Sequence, residues 1–337
     1  MACVSVDMGD VMLRVHFTAE DLARTVMAAE PDPLWETLLS LHLAQSNDGS
    51  VIFGPWRRAA NAGTRGGTAP LLRELAPPTG YSPDFLTPVG AGSDLDEALE
   101  RVASTPNARI RTEMDCLMSR RPATAWTREL AAARPGTLRR LVGALRSYHG
   151  VALQPYWHAI RRHVLADRAR RAQQLASHGI DHLLSTLSDR VRWNPPVLEI
   201  LDFVDSDVHL DGRGVLLQPS FFCWQAPTKL RDPGLRPILV YPTQPPPGTL
   251  RRHSDAHPPR LSALLGRTRA VALEATVSGC TTSELARRCA VSLAAASQQA
   301  SVLREAGLIS TRRDGGAVRH EITTLGLGLL NGADLPV

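Results

Sequence analysis

The fold of the C-terminal part of the chain is decided by Thr281-Thr282-Ser283-Glu284-Leu285-Ala286-Arg287-Arg288-Cys289-Ala290-Val291-Ser292, which residues 293–308 follow. This stretch predicts a helix, a turn filled by Val291, and a longer helix that has Ser292 as its N-cap. Gly307 follows where the chain needs a positive φ to leave the longer helix. One buried face of that helix is predicted by apolar residues at spacings of four and three, which are Ala296, Ala300 and Leu303.

The opposite face of the longer helix is polar. It carries Ser297, Gln298, Ser301 and Arg304, with Gln299 beside them. A helix that packs on its predecessor and presents short polar side chains suits the major groove of DNA.

Two β-rich runs come next, residues 308–313 and 317–323, and they flank Asp314-Gly315-Gly316. An Asp-Gly turn between such runs predicts a β-hairpin. Arginines lie on both sides of its tip, from which they could reach phosphates or a minor groove. A helix-turn-helix followed by a basic hairpin is a winged helix.

Residues 260–330 resemble the ArsR-type winged-helix regulators. The matching stretches are Leu264-Leu265-Gly266-Arg267-Thr268-Arg269, Ser283-Glu284-Leu285-Ala286, Val291-Ser292, residues 297–309, the hairpin and Gly326. The resemblance implies a homodimeric repressor that an inducer releases from DNA, with helix 261–277 helping to form the dimer. Since a dimer places two recognition helices one DNA turn apart, we expect an inverted-repeat operator.

This chain departs from those relatives at two places. Metal-sensing members carry a Cys-x-Cys pair in the first helix of the motif, where this sequence has Thr281-Thr282-Ser283-Glu284. Cys280 and Cys289 flank that helix without metal-ligand spacing, so we expect a non-metal effector, no metal site and no cofactor. Gln298-Gln299 stands where many relatives have Arg-His, so their operator sequences are not carried over.

The residues that we expect to contact double-stranded DNA lie on the longer helix and on the hairpin. Gln298 and Gln299 are candidates for paired hydrogen bonds to adenine N6 and N7. The arginines are expected to hold phosphates, with an affinity that falls steeply with salt. The alternative is an ordinary solvated surface. The full set is Ser292, Ser297, Gln298, Gln299, Ser301, Arg312, Arg313 and Arg319.

Composition and charge support a DNA-binding module at the C-terminus. The 337 residues are 43% hydrophobic and 21% charged, which is ordinary for globular protein. Residues 260–337 hold nine arginines and six acids, or +3 of the net +5. Five scattered cysteines, Asp7 and Asp10 near the N-terminus, and no long apolar run together predict a cytoplasmic protein without a membrane segment.

The predicted fold class is α+β and predominantly helical. Residues 1–241 are expected to form an α+β effector or assembly domain with one small sheet, 242–259 a Pro-rich linker, and 260–337 the winged helix-turn-helix domain. The sheet would combine runs 11–17, 197–201, 207–210, 215–217 and 237–241. Residues 54–94 predict a mobile loop with a short helix at 70–76; they lack the lysine and the glycine spacing of phosphate-binding loops.

The predicted function is sequence-specific transcriptional regulation, and the N-terminal domain would sense a small-molecule effector. This domain has no nucleophile elbow, metal motif or dinucleotide fingerprint, so we expect no enzyme activity. A constitutive DNA-binding scaffold and an enzyme fused to a DNA-targeting module remain alternatives. Two His pairs, His178/His182 and His253/His257, have metal-compatible spacing but are typical of solvated surface. A basic helix face is either solvated or a second DNA contact; it carries Arg161, Arg162, Arg168, Arg170 and Arg171.

Overall fold

The computed structural model describes residues 12–90, 92–201, 203, 205–229, 234–250, 261, 264–277, 279–289, 291–314 and 317–331. The chain is an α+β protein with mostly helical secondary structure and small mixed sheets, as predicted. It forms two compact units. The N-terminal unit comprises Met1–Asp48 and Ala59–Gln244, and the C-terminal unit comprises Gly49–Arg58 and Pro245–Val337.

Nine α-helices begin and end within the described residues 12–90 and 92–201. They are α1 (Ala19–Ala23), α2 (Pro33–Gln45), α3 (Ser50–Gly63), α4 (Ala69–Leu75), α5 (Leu95–Ala103), α6 (Asn107–Met118), α7 (Ala125–Ala131), α8 (Pro135–Ala152) and α9 (Trp157–Ser185). Gly179, with φ 80° and ψ 179°, breaks α9 into two helical parts.

The loop predicted for residues 54–94 is wrong over its first part, because α3 runs through Gly63. Gly63, its last residue, lies against Val151, where a Cβ would come within 2.7 Å of Cγ1, so a larger residue would not fit there. The turn at residues 64–68 then leads into α4, which confirms the short helix predicted at 70–76.

The single predicted sheet is also wrong, since its strands belong to two four-stranded sheets. The first has the order β3 (Val191–Asn194), β4 (Val197–Leu201), β1 (Met12–His16), β5 (Ser206–His209). The second has the order β2 (Val26–Met27), β6 (Leu216–Ser220), β8 (Ile238–Pro242), β7 (Thr228–Lys229).

Burial explains why the strands divide into two sheets. Residues of β1 and β4 alternate between buried and half-buried, as in a sheet with one covered face. β6 and β8 are parallel and almost continuously buried, which requires cover on both faces. One hydrophobic core joins the two sheets to the end of α9, and it includes Leu13, Leu198, Leu217, Tyr241 and Leu184.

The basic face predicted on α9 is held mostly by ion pairs. Arg161 binds Glu30 through two hydrogen bonds of 2.7 and 2.5 Å. Arg171 is buried; its Nε donates to Asp167 Oδ2 over 3.1 Å, and its guanidinium lies over the Tyr241 ring. A solvated role for Arg171 is therefore wrong, because its charge is matched inside the protein by a buried carboxylate.

The C-terminal unit has seven described elements in residues 264–331. They are α10 (Arg267–Ala275), β9 (Cys280–Thr281), α11 (Thr282–Cys289), α12 (Leu293–Glu305), β10 (Ile309–Asp314), β11 (Ala317–Ile322) and α13 (Thr324–Asn331). The strands form a sheet in the order β10-β11-β9. Gly266, with φ 82°, interrupts the single helix predicted over 261–277. Most of the predicted linker, residues 251–259, lies outside the described residues, and so do His253 and His257.

No helix in the described ranges is both long enough and apolar enough to cross a lipid bilayer.

Candidate nucleic-acid interface

Both helices at the centre of the site begin with hydrogen-bonded caps. Ser292 is the N-cap of α12, and its hydroxyl accepts from the Ala295 N–H over 3.2 Å, as predicted. At the start of α11, the Thr281 N–H donates to Glu284 Oε2 (2.9 Å) and the Glu284 N–H donates to Thr281 Oγ1 (3.3 Å). This reciprocal capping lowers the pKa of Glu284, chiefly through the backbone bond from Thr281.

The end of α12 is equally well defined. Gly307 has φ 70°, and its N–H donates to the Arg304 carbonyl over 2.9 Å. The next N–H, of Leu308, donates to the Leu303 carbonyl over 2.9 Å. These two bonds form a Schellman motif and confirm the helix end predicted at Gly307.

α12 presents one buried and one exposed face. The predicted apolar residues Ala296, Ala300 and Leu303 are all buried in the core of the C-terminal unit. On the outer face Ser297 and Gln298 are exposed and Ser301 is half-buried. Leu293, in the first turn, leaves 57% of its surface exposed. No acidic residue occurs between Leu293 and Arg304, so this part of the outer face carries no charge that would repel phosphate. Glu305, the last residue of α12, is exposed four residues after Ser301.

Gln299 lies on the flank of α12 and is half-buried. Its Oε1 accepts from Arg269 Nε over 3.1 Å, which ties α10 to α12. Gln298 makes no hydrogen bond within the described part of the chain. The two glutamines predicted as a pair therefore have different surroundings, because successive helical residues point about 100° apart.

The hairpin places two of the predicted arginines on one face. Arg312 and Arg319 are directly opposite each other in the register of β10 and β11. Arg312 is exposed. Arg319 is 39% exposed; its Nε lies 3.5 Å from Glu321 Oε1, and its guanidinium packs on Gly279, where a Cβ would be 2.9 Å away. Arg313 pairs with Val318 in the register of the two strands.

A buried histidine that the sequence reasoning missed connects the hairpin to the helices. His320 Nε2 is 3.0 Å from Thr282 Oγ1, and its Nδ1 is 3.1 Å from Thr311 Oγ1. Burial lowers the pKa of His320, so the ring is neutral and each hydroxyl can pair with one nitrogen. His320 thereby orients the hairpin relative to α11. The sequence did contain a signal for this burial. Side chains alternate between the two faces of a strand, so His320 lies on the face opposite to Arg319.

The cysteines near the site have the character of core residues. Cys280 is fully buried and Cys289 is half-buried, and both are free thiols. Burial raises the pKa of both thiols. Over the described ranges, no three His, Cys, Asp or Glu side chains come together as metal ligands.

We found no match to this chain among protein-family models, curated proteins or solved structures. The function must therefore be argued from the geometry of the site.

Proposed function

We propose that this protein is a sequence-specific DNA-binding transcriptional regulator and that its C-terminal unit is a winged helix-turn-helix domain of the ArsR type. The observation that carries the proposal is the outer face of α12. It presents Ser297, Gln298 and Ser301, with no acidic residue in the helix before Glu305 at its end, while the inner face is fixed in the core. Helices of this kind insert their N-terminal half into the major groove.

Each group has a distinct role in the proposed complex. Gln298 pairs with adenine N6 and N7, and the two serines bond to neighbouring base edges or phosphates. Arg312 and Arg319 lie on one face of the hairpin and bind phosphates, whose neutralisation releases counterions. The N-terminus of α12, capped by Ser292, favours a phosphate through its free N–H groups and dipole.

The proposed assembly is a cytoplasmic homodimeric repressor. Leu264 and Leu325 leave 68% and 50% of their surfaces exposed, and they offer apolar area for self-association. Two copies place their α12 helices about 34 Å apart on an inverted-repeat operator. A small non-metal effector bound by the N-terminal unit changes DNA affinity by binding two dimer arrangements unequally.

The test is selection of duplexes from a random library by the full chain, followed by affinity measurements on the selected site. We expect Gln298→Ala to reduce the preference by about 5- to 150-fold for each half-site, since a bidentate pair contributes roughly 1–3 kcal/mol, and by the square of that factor on the full inverted repeat. Arg312→Ala should weaken binding to all duplexes alike.

Matched controls come from the N-terminal unit. Gln173→Ala and Arg111→Ala remove an exposed glutamine and an exposed arginine, and both should leave DNA affinity unchanged. If no sequence is enriched, or if the α12 and hairpin variants behave like these controls, the proposal is wrong.

A further inference from the structure

The N-terminal unit contains a cleft to which the proposed function assigns no role. Its volume is 270 Å³, and it lies between α4, α6, α7 and the segment that joins α6 to α7. We call it the α4–α6 cleft. Drug-sized sites occupy roughly 300–1,000 Å³, so this one suits a small metabolite.

The walls of the α4–α6 cleft are apolar on one side. Leu117, at the end of α6, is buried. Beside it, Met118 is half-buried and Pro122 is exposed. A hydrocarbon group placed here would be removed from water without displacing any hydrogen bond of the protein. This side of the cleft therefore favours an aliphatic or aromatic group.

Two arginines supply the polar side. Arg121 is exposed, and no described residue forms an ion pair with it. Arg73 is anchored by a 2.8 Å bond from one terminal nitrogen to Asn61 Oδ1, and its Nε is buried without a hydrogen-bond acceptor in the described structure. An anion at this end of the cleft provides the negative charge that neither guanidinium group receives from a described residue.

The carboxylate of Glu74 limits the ligand to an anion with a single negative charge. Glu74 lines the same cleft, and its Oε2 accepts from Thr124 Oγ1 over 2.5 Å. Two arginines against one carboxylate leave a single excess positive charge. A monoanion balances that charge, whereas a phosphate dianion would be repelled by Glu74.

From these contacts we propose that the α4–α6 cleft binds a small organic carboxylate with an apolar tail. The carboxylate lies between Arg121 and Arg73, and the tail lies on Leu117, Met118 and Pro122. The proposal concerns the N-terminal unit alone and does not depend on DNA binding.

Calorimetric titration of the full chain with phenylacetate tests the proposal, with phenylacetamide and inorganic phosphate as companion probes. Phenylacetate should bind at least about tenfold more tightly than the neutral amide, because only the acid makes charge-assisted bonds. Arg121→Ala should remove this difference. Arg120→Ala is the matched control, since Arg120 is exposed and adjacent but does not line the cleft.

A second variant separates anion recognition from a general loss of structure. Glu74→Gln keeps an acceptor for Thr124 but removes the like charge, so it should tighten phenylacetate binding while Arg121→Ala weakens it. The proposal is overturned if phenylacetate does not bind, if the amide binds as tightly, or if phosphate competes with equal affinity. Equal binding by the Arg121 and Arg120 variants would also overturn it.

Discussion

The ion pair between Arg319 and Glu321 allows the role of the hairpin to be tested without knowledge of the operator. Both side chains are partly exposed, 39% and 49%, and the Arg319 Nε to Glu321 Oε1 distance is 3.5 Å. Such a pair contributes about 0–1 kcal/mol, so DNA can compete for Arg319 at a small cost. Glu321→Gln removes that cost and should strengthen DNA binding by up to about fivefold.

The salt dependence of binding gives the sharper measurement. Each phosphate neutralised on B-DNA adds about 0.9 to the slope of log affinity against log salt. On a random-sequence duplex, followed by fluorescence anisotropy over a salt series, Glu321→Gln should steepen the slope by up to about 0.9 and Arg319→Gln should make it shallower. Glu100→Gln, at an exposed residue of α5, makes the same change in net charge and should alter neither value. If all four proteins share one slope, Arg319 does not contact DNA.

Three further outcomes are expected. Leu293, exposed in the first turn of α12, should contact a thymine methyl group. Replacing that thymine by deoxyuridine should lower the DNA affinity of the wild-type protein about fourfold in the same anisotropy assay. The affinity of Leu293→Ala should not change. Gly326→Ala would place a Cβ 2.1 Å from the Leu308 carbonyl oxygen, so chemical denaturation should show that the free energy of unfolding falls by about 1–3 kcal/mol. Gly328 has open space around it, so Gly328→Ala should show no such loss. Burial raises the pKa of Glu36 from 4.5 to about 7, so the folded state retains a proton that the unfolded state loses. Stability should therefore fall by roughly 3 kcal/mol as pH rises between these values, and urea denaturation of Glu36→Gln should lack this decrease.

α12 was predictable in detail because every signal that defines it is local. Its cap, the period of its buried alanines and its terminal glycine lie within sixteen residues of sequence, Ser292 to Gly307. Helix periodicity and capping need no knowledge of distant residues. The antiparallel pairing of β10 and β11 is equally local, since only a short turn joins them.

The two sheets of the N-terminal unit were not predictable in the same way. β1 pairs with β4 and β5, which lie more than 180 residues further along the chain. β2 and β7 have two residues each, too few to show an alternating pattern. Sequence periodicity marks a strand but does not name its partner, so one sheet and two sheets were equally compatible with the pattern. α3 was missed for another reason, because Gly54 and Pro55 are typical of loops.

Several contacts of the candidate site join elements that are far apart in the sequence, so the sequence did not show them. The bond between Arg269 and Gln299 spans thirty residues, and the one between Thr282 and His320 spans thirty-eight. Helical periodicity placed Gln299 beside the polar face that carries Gln298, and both were predicted to contact DNA. The periodicity could not show that the side-chain amide of Gln299 is already bonded to the Arg269 guanidinium.

This difference between the glutamines bears on the proposed oligomeric state. With Gln299 bonded to Arg269, Gln298 is the one glutamine of α12 whose amide is not engaged by a described residue. A single bidentate contact discriminates by about 1–3 kcal/mol, or roughly 5- to 150-fold. Regulators that act at chosen sites need about 10³- to 10⁷-fold preference over other DNA. Two copies on an inverted repeat double the free energy and so square the ratio, which reaches that range. Self-association therefore strengthens the proposed function, because a dimer makes the base contacts of Gln298, the two serines and Leu293 twice.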